Sequence, residues 1–196
     1  MSSGGEPMTQ SGSTRRALLA AAVTVLIAAG LEVAAQAPDA PRPAAEHGAL
    51  TRAEGTWDAS VEISMGSPGT PPQRSKAGET NRLCCGGLWL VSEFKSNPGS
   101  APFEGHGITG YEPSSRKYTS TWVDSDLTTP MVSEGTYDAT GMTLTLRGSM
   151  ASNGKTIRWR SVEAWTDDDT RQYTMFMRGP DGKETPSMKI GYTRRK

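Results

Sequence analysis

The stretch FEGHGITGYEPSSRKYTSTWVD, residues 103–124, is the clearest structural signal in the chain. β-Branched and aromatic residues with interspersed glycines fill its first half, and Tyr118 and Trp122 share one face of its second half. Residues 112–115, Glu-Pro-Ser-Ser, carry turn chemistry between the halves. We therefore predict two antiparallel strands joined by a short turn, a β-hairpin.

The chain from Gly55 onward repeats short segments of this kind. Apolar and polar residues alternate from Gly55 to Met65, with Trp57 on the apolar face. Asn153-Gly154 is a strong hairpin signal, and the segment after it places Glu163 and Trp165 on one face. Turn residues separate about ten such segments at roughly ten-residue spacing, which is typical of all-β proteins. The sequence thus predicts an antiparallel up-and-down meander of about ten strands.

We expect this meander to close into a barrel rather than to fold as a two-sheet sandwich. Hairpin follows hairpin, without the long crossover of a Greek key. Closure also removes the edge strands that would otherwise be open to pairing with another chain. A barrel of about eight to ten strands is wide enough to hold one small ligand.

The N-terminus has the features of a secretory signal peptide. Arg15-Arg16 form the positive region, and the apolar run from Ala17 to Leu31 is shorter than the about 20 residues that span a bilayer. We place cleavage after Ala35, so no stable membrane span would remain; an uncleaved anchor is the alternative. Because residues 14–19 also resemble a twin-arginine signal, export to the periplasm or cell exterior by the Sec or twin-arginine route stays open.

Composition divides the chain into three predicted parts. Residues 1–35 are the signal peptide, residues 36–48 an extended Ala/Pro-rich linker with a solvated His47, and residues 49–196 the barrel domain. Lys plus Arg and Asp plus Glu both count 21, so the net charge is zero and no basic field favours nucleic acid.

The two cysteines of the chain, Cys84 and Cys85, are neighbours. Their Cα atoms are about 3.8 Å apart, below the usual range of disulfides. We interpret them as one buried and one surface thiol, with a redox or metal-binding role as the alternative.

Two resemblances support the barrel. Gly55-Thr56-Trp57 is similar to the Gly-x-Trp signature of lipocalin-like barrels, in which an Arg of the closing strand covers the Trp; Arg194 is the candidate here. The segments GTWDASVEI, ETNRLCCGGLWLVSEFK, FEGHGITGYEPSSRKYTSTWVDS, EGTYDATGMTLTL, DGKE and YTRRK, in this order, resemble the bacterial domain-of-unknown-function family numbered 1579. That resemblance implies export and a lipocalin-like barrel, and it implies no particular activity.

Few residues of the predicted barrel could carry chemistry. His106 is the only histidine of that domain, and it suits a general base or a haem ligand as well as a structural or rim position. Acids within strands normally face solvent, but Glu163 shares its face with tryptophans, so we place it in the lumen. Arg82 or another cation would pair with it there, in a role that is either structural or ligand-binding.

These features lead to the hypothesis that the lumen binds a small apolar or amphipathic molecule without catalysis, cofactor or metal. The five tryptophans are interpreted as barrel core, which could also line a pocket. The predicted binding residues are Trp57, Arg82, Trp89, His106, Trp122, Asp124, Glu163 and Trp165. Two alternatives remain: an enzyme in which His106 acts with Asp124 or Glu104, and a structural or interaction barrel filled by side chains.

Overall fold

The computed structural model describes residues 40–64, 69–97, 99, 101–152, 154–179 and 181–196. The predicted signal peptide lies outside these residues. A short helix, α1 (Gly48–Ala53), precedes the strands. The ten strands are β1 (Gly55–Ile63), β2 (Gln73–Cys84), β3 (Trp89–Ser96), β4 (Phe103–Glu112), β5 (Lys117–Asp124), β6 (Met131–Asp138), β7 (Thr143–Ser152), β8 (Lys155–Trp165), β9 (Thr170–Arg178) and β10 (Glu184–Arg194).

The strands form a closed antiparallel barrel in which each strand pairs with its neighbours in sequence and β1 pairs with β10. This confirms the predicted meander and its closure, and the sandwich alternative is wrong. The predicted hairpin is also confirmed, because β4 and β5 pair from Gly105 with Asp124 to Glu112 with Lys117.

Alternation along the strands sets which side chains face the lumen. In β1, Trp57, Ala59 and Val61 are buried, whereas Asp58 and Ser60 are exposed on the outer wall. This is the predicted period of two, and it holds because successive side chains of a strand point to opposite faces. Met65, predicted to continue the face, lies outside the described residues.

Helix α1 covers one end of the barrel, which we call the closed end. Its Leu50 packs with Tyr118, Leu144 and Trp165 in one buried cluster. The backbone carbonyl of Ala53 accepts hydrogen bonds from Trp57 Nε1 at 3.0 Å and from Asn81 Nδ2 at 2.9 Å. These hydrogen bonds attach the helix to inward-facing side chains of β1 and β2. No helix among the described residues is long and apolar enough to cross a membrane.

The prediction of an extended linker with a solvated His47 is wrong for the residues next to α1. A 3₁₀ turn, Ala45–His47, leads directly into the helix, and His47 is only 3% exposed. Its Nδ1 accepts a hydrogen bond from the Ala44 amide at 2.9 Å, and its ring meets the ring of Tyr111 edge to face. The turn thus forms part of the cover of the closed end, which the Ala/Pro-rich composition did not indicate.

Candidate functional site in the barrel lumen

The lumen has two halves that differ in how tightly their side chains are enclosed. In the closed half, next to α1, most inward-facing side chains are buried, and Leu83, Tyr111 and Tyr137 are half-buried against them. In the far half, several inward-facing side chains stay partly exposed. Buried side chains of the closed half include Leu50, Trp57, Leu90, Tyr118, Leu144 and Trp165. Partly exposed side chains of the far half include Phe103, Trp122, Ile157, Tyr173, Met175 and Met188.

Arg194 completes the closed end in the way that the lipocalin resemblance predicted. Its guanidinium carbon lies 4.1 Å from the centre of the Trp57 ring. It donates to the backbone carbonyls of Arg52 and Glu54 and forms an ion pair with Asp169 at 3.1 Å. One side chain of the last strand therefore joins the helix, the first strand and the β8–β9 turn.

A second arginine, Arg171 of β9, lies inside the lumen and holds two carboxylates. Its Nη1 donates to Glu163 and its Nη2 to Glu79. The guanidinium carbon also lies 4.5 Å from the Trp57 ring centre and 3.9 Å from that of Tyr192. The predicted ion pair of Glu163 thus exists, with Arg171 as the partner rather than Arg82.

Burial and the nearby carboxylate affect the tyrosine of this cluster. Burial, reinforced by the negative charge of Glu79, raises the pKa of Tyr192 well above its usual value. Tyr192 therefore stays neutral over the physiological pH range and acts as a hydroxyl donor or acceptor and as an aromatic surface for Arg171.

The far half contains two of the predicted binding residues, Trp122 and Asp124. The Trp122 Nε1 donates to Asp124 Oδ2 at 2.9 Å, and the other carboxylate oxygen accepts from the Asp126 amide at 2.9 Å. The indole lies directly over the backbone of β4 at Gly105 and Gly107, where a Cβ atom would collide with the ring. The glycines of the opening motif therefore make room for Trp122 on the lumen wall.

The structure brings five of the eight predicted binding residues to the inner face: Trp57, Trp122, Asp124, Glu163 and Trp165. The remaining residues, Arg82, Trp89 and His106, lie on the outer wall and do not join them. The interpretation of all five tryptophans as core is wrong for Trp89, which is 37% exposed. Its ring covers Gly110 on the outer face, and alternation could not show this because β3 carries apolar residues on both faces.

His106 forms a pair with Glu104, with 3.0 Å between Nε2 and Oε1. Both side chains are about half exposed on the outer wall of β4. Asp124 faces the lumen and is not its partner. Two open cavities on the outside of the barrel, of about 500 and 430 Å³, are lined mainly by outer-wall residues other than His106 and Glu104.

Cys84 and Cys85 are free thiols whose Sγ atoms are 3.5 Å apart. Cys84 is half-buried and Cys85 exposed, and the hydrogen bond between them raises the pKa of Cys84. Within the described ranges, no group of three or more His, Cys, Asp or Glu side chains is arranged to hold a metal ion.

Arg171, Glu79 and Asn81 are the site residues that the sequence analysis did not select. Arg171 is in phase with Tyr173 and Met175 on β9, so alternation places it on the inner face. The phase of Arg171 with apolar residues was therefore a signal that it faces the lumen. Because arginine side chains are usually exposed, that signal alone did not favour an inward position.

Comparison with known proteins agrees with this fold. The family described as "Protein of unknown function (DUF1579)" matches residues 42–194. The chain belongs to the DUF1579 family. This confirms the resemblance seen in the sequence, and no functionally curated protein matches this DUF1579 chain.

Two solved structures are similar to the DUF1579 barrel. Rv2717c of M. tuberculosis is 15% identical with a TM-score of 0.55, covering 78% of this chain and 99% of its own. The S-type phycobiliprotein lyase CPES of Guillardia theta is 11% identical with a TM-score of 0.54, covering 79% of this chain and 99% of its own. At these identities the likeness shows the barrel fold alone.

Proposed function

We propose that this DUF1579 protein binds a small apolar or amphipathic molecule in the far half of its lumen and does not convert it chemically. The observation that carries the proposal is the partial exposure of inward-facing side chains there, such as Ile157, Met175 and Met188. Val61, Phe94 and Ile190 of the same half are buried, and the partly exposed side chains beside them form the remaining surface. The accessible wall is therefore a surface that a ligand can cover.

The lining of the far half suits such a ligand. Binding sites for small molecules are mostly apolar, with a few fixed polar groups. Aromatic and methionine side chains supply the apolar surface, and Asp124 and Glu163 supply the polar groups. Small inward-facing residues cross β3 to β6, where Ser92 pairs with Gly107 and Ser120 pairs with Thr109 and Ser133. The Trp122 indole occupies the space over Gly107, and the serine and threonine side chains around it fill less of the interior than larger side chains would.

The fold supports the same proposal. Barrels of about eight to ten strands enclose enough space for one small ligand. The structure similar to this chain that is named a phycobiliprotein lyase shows that the same fold occurs in a protein with a defined role. The ligand of this chain is proposed from its own lumen and is not transferred from that protein.

The competing hypothesis of an enzyme acting through His106 has less support. His106 and Glu104 are within hydrogen-bond distance, as a general base and its partner would be. They lie on the outer wall, and neither of the two cavities on the barrel includes them. His106→Ala should leave ligand binding unchanged.

Filling the lumen tests the proposal. Titration with N-phenyl-1-naphthylamine, a neutral dye that fluoresces in apolar surroundings, should show saturable binding to the wild-type protein. Ser120→Trp places an indole in the lumen and should weaken binding at least about ten-fold, because the space is no longer available. Thr121→Trp, the neighbouring residue on the outer wall, is the matched control and should bind the dye like wild type.

A second pair of variants covers the case in which Ser120→Trp unfolds the protein. Met188→Trp changes the opposite part of the inner wall, and Lys189→Trp changes the outer wall beside it. Thermal melting checks that each variant is folded. Equal dye binding by inner and outer variants, or no saturable binding by wild type, would contradict the proposal.

We also propose that the protein is exported through its N-terminal segment. The support is the sequence pattern of Arg15-Arg16 followed by an apolar run. Cell fractionation should find the mature chain outside the cytoplasm. Replacement of both arginines by lysine should block export only if the twin-arginine route is used, and retention of full-length wild-type protein in the cytoplasm would refute export.

A further inference from the structure

We infer that the lumen ligand carries a cationic group, an ammonium or an amidinium, which binds to the carboxylate of Glu163. This inference rests on the proposed function and adds the chemical class of the ligand. It excludes carboxylate-bearing ligands such as fatty acids from high-affinity binding in this lumen.

The charge balance of the lumen is the first reason. Among inward-facing positions on the described strands, the carboxylates are Glu79, Asp124 and Glu163, and the cations are Arg171, Arg194 and, at the exposed start of β8, Lys155. Arg194 is engaged at the closed end by backbone carbonyls and Asp169. Glu79 and Glu163 share Arg171, so this cluster keeps one net negative charge, which attracts a cation and repels an anion.

Arg171 is not available to an anionic ligand. Its two Nη atoms donate to Glu79 and Glu163, and its guanidinium lies against the rings of Trp57 and Tyr192. The side chain is 4% exposed. An incoming carboxylate would have to displace a buried carboxylate that is already bound to it.

Glu163 is the member of the cluster that a ligand can reach. Its side chain is 16% exposed, compared with 8% for Glu79. Within the described structure, hydrogen bonds reach only its Oε1, from Arg171, so Oε2 keeps its acceptor capacity. Both hydrogen bonds of Glu79, from Arg171 and Asn81, also reach Oε1, so its lower exposure is what distinguishes it from Glu163; both oxygens of Asp124 accept N–H donors.

An unpartnered acceptor beside the cluster is the second, independent reason. Asn81 is 2% exposed on the inner face of β2, and its Nδ2 donates to Ala53 and Glu79. Its Oδ1 is buried and has no hydrogen-bond partner among the described residues. A buried acceptor without a donor is unfavourable, and an ammonium or amidinium brings several donors, whereas a carboxylate brings none.

The wall around Glu163 also suits a cation. Tyr173 lies directly across the β8–β9 pair from Glu163 and is half-buried. The face of an aromatic ring attracts ammonium groups. Met175 follows on the same face of β9, and Met188 pairs with it, so an alkyl chain attached to the cation would contact them.

Three probes with the same alkyl chain and different head groups test the inference: decylammonium, decanol and decanoate. Calorimetric titration should show that wild type binds decylammonium at least about ten-fold more tightly than decanol, as expected for a hydrogen bond to a charged group. Decanoate should bind most weakly. In Glu163→Gln the preference for decylammonium over decanol should fall below about three-fold, because the negative charge has been removed.

Glu134→Gln is the matched control. Glu134 is an outer-wall carboxylate of β6, 59% exposed and paired with Lys117, so the variant loses the same charge away from the lumen. It should keep the wild-type preference for decylammonium. Melting curves check that both variants fold, and the ranking of the three probes by wild type decides the charge inference even if Glu163→Gln does not fold.

The results separate the two proposals. Equal affinity for decanol and decylammonium, or tighter binding of decanoate, would overturn the cation inference while lumen binding remains supported. The same conclusion would follow if Glu163→Gln and Glu134→Gln had the same effect. Binding of none of the three probes by folded wild type would contradict the proposed function itself.

Discussion

The closed half and the far half of the lumen are built from the same ten strands, and they differ in what fills them. The closed half receives a helix, the Trp57 indole and the Arg194 guanidinium, and most of its side chains are buried. The far half receives small residues on one side and partly exposed methionine and aromatic side chains on the other. Half-buried side chains occur in both halves, and the proposed ligand site uses those of the far half.

The largest expected effect is on the closed half. Trp57 is 0% exposed, and its replacement by Ala should lower the free energy of unfolding by about 4 kcal/mol, because a large cavity forms and two arginines lose their stacking surface. Trp122→Ala in the far half should cost roughly 2 kcal/mol, since its ring is already partly exposed. Urea denaturation of both variants measures the difference, and equal losses would remove the distinction between the halves.

The next effect concerns the ion cluster between the halves. Arg171→Met should lower the free energy of unfolding by about 3 kcal/mol at neutral pH, because it leaves two buried carboxylates without their cation. Arg82→Met on the outer wall should change it by less than about 0.5 kcal/mol. If the denaturation curves of the two variants coincide, Arg171 is not an internal counterion.

The smallest effect is a dependence on alkaline pH. Burial raises the pKa of Tyr118 from 10 to about 12. Above pH 10 the unfolded chain loses this proton while the folded protein retains it, so the contribution of Tyr118 to stability is full below pH 10 and decreases as pH rises towards 12. Between pH 10 and pH 12 the free energy of unfolding of wild type should fall by about 1–3 kcal/mol more than that of Tyr118→Phe. Denaturation at a series of pH values measures the slopes, and parallel slopes would mean that Tyr118 is not enclosed.

The sequence predicted the strands and closure well, because both follow from local signals. Alternation placed Trp57, Glu163 and Trp165 on the inner face, and the Gly-x-Trp resemblance placed Arg194 over Trp57. The partner of Glu163 could not be predicted, since Arg171 reaches Glu79 across two intervening strands and no local pattern encodes that contact. The burial of His47 could not be predicted for a related reason, because it depends on packing against Tyr111, which is distant in sequence.

The far half was harder to predict than the closed half. Trp89 and Trp122 look alike in sequence, and each covers a glycine of β4, but on opposite faces of the sheet. Only the register of β3 to β5 separates them. Whether an inward-facing wall encloses space depends on side chains from all strands together, which is why the partial exposure of Ile157 and Met188 had no signal in the sequence.

A crystal structure of the protein with decylammonium tests the central claim most directly. The account predicts the alkyl chain inside the far half, against Met175 and Met188, and the ammonium nitrogen within about 3.2 Å of a Glu163 carboxylate oxygen. A lumen filled by its own side chains, with decylammonium bound only on the outer wall, would contradict the account.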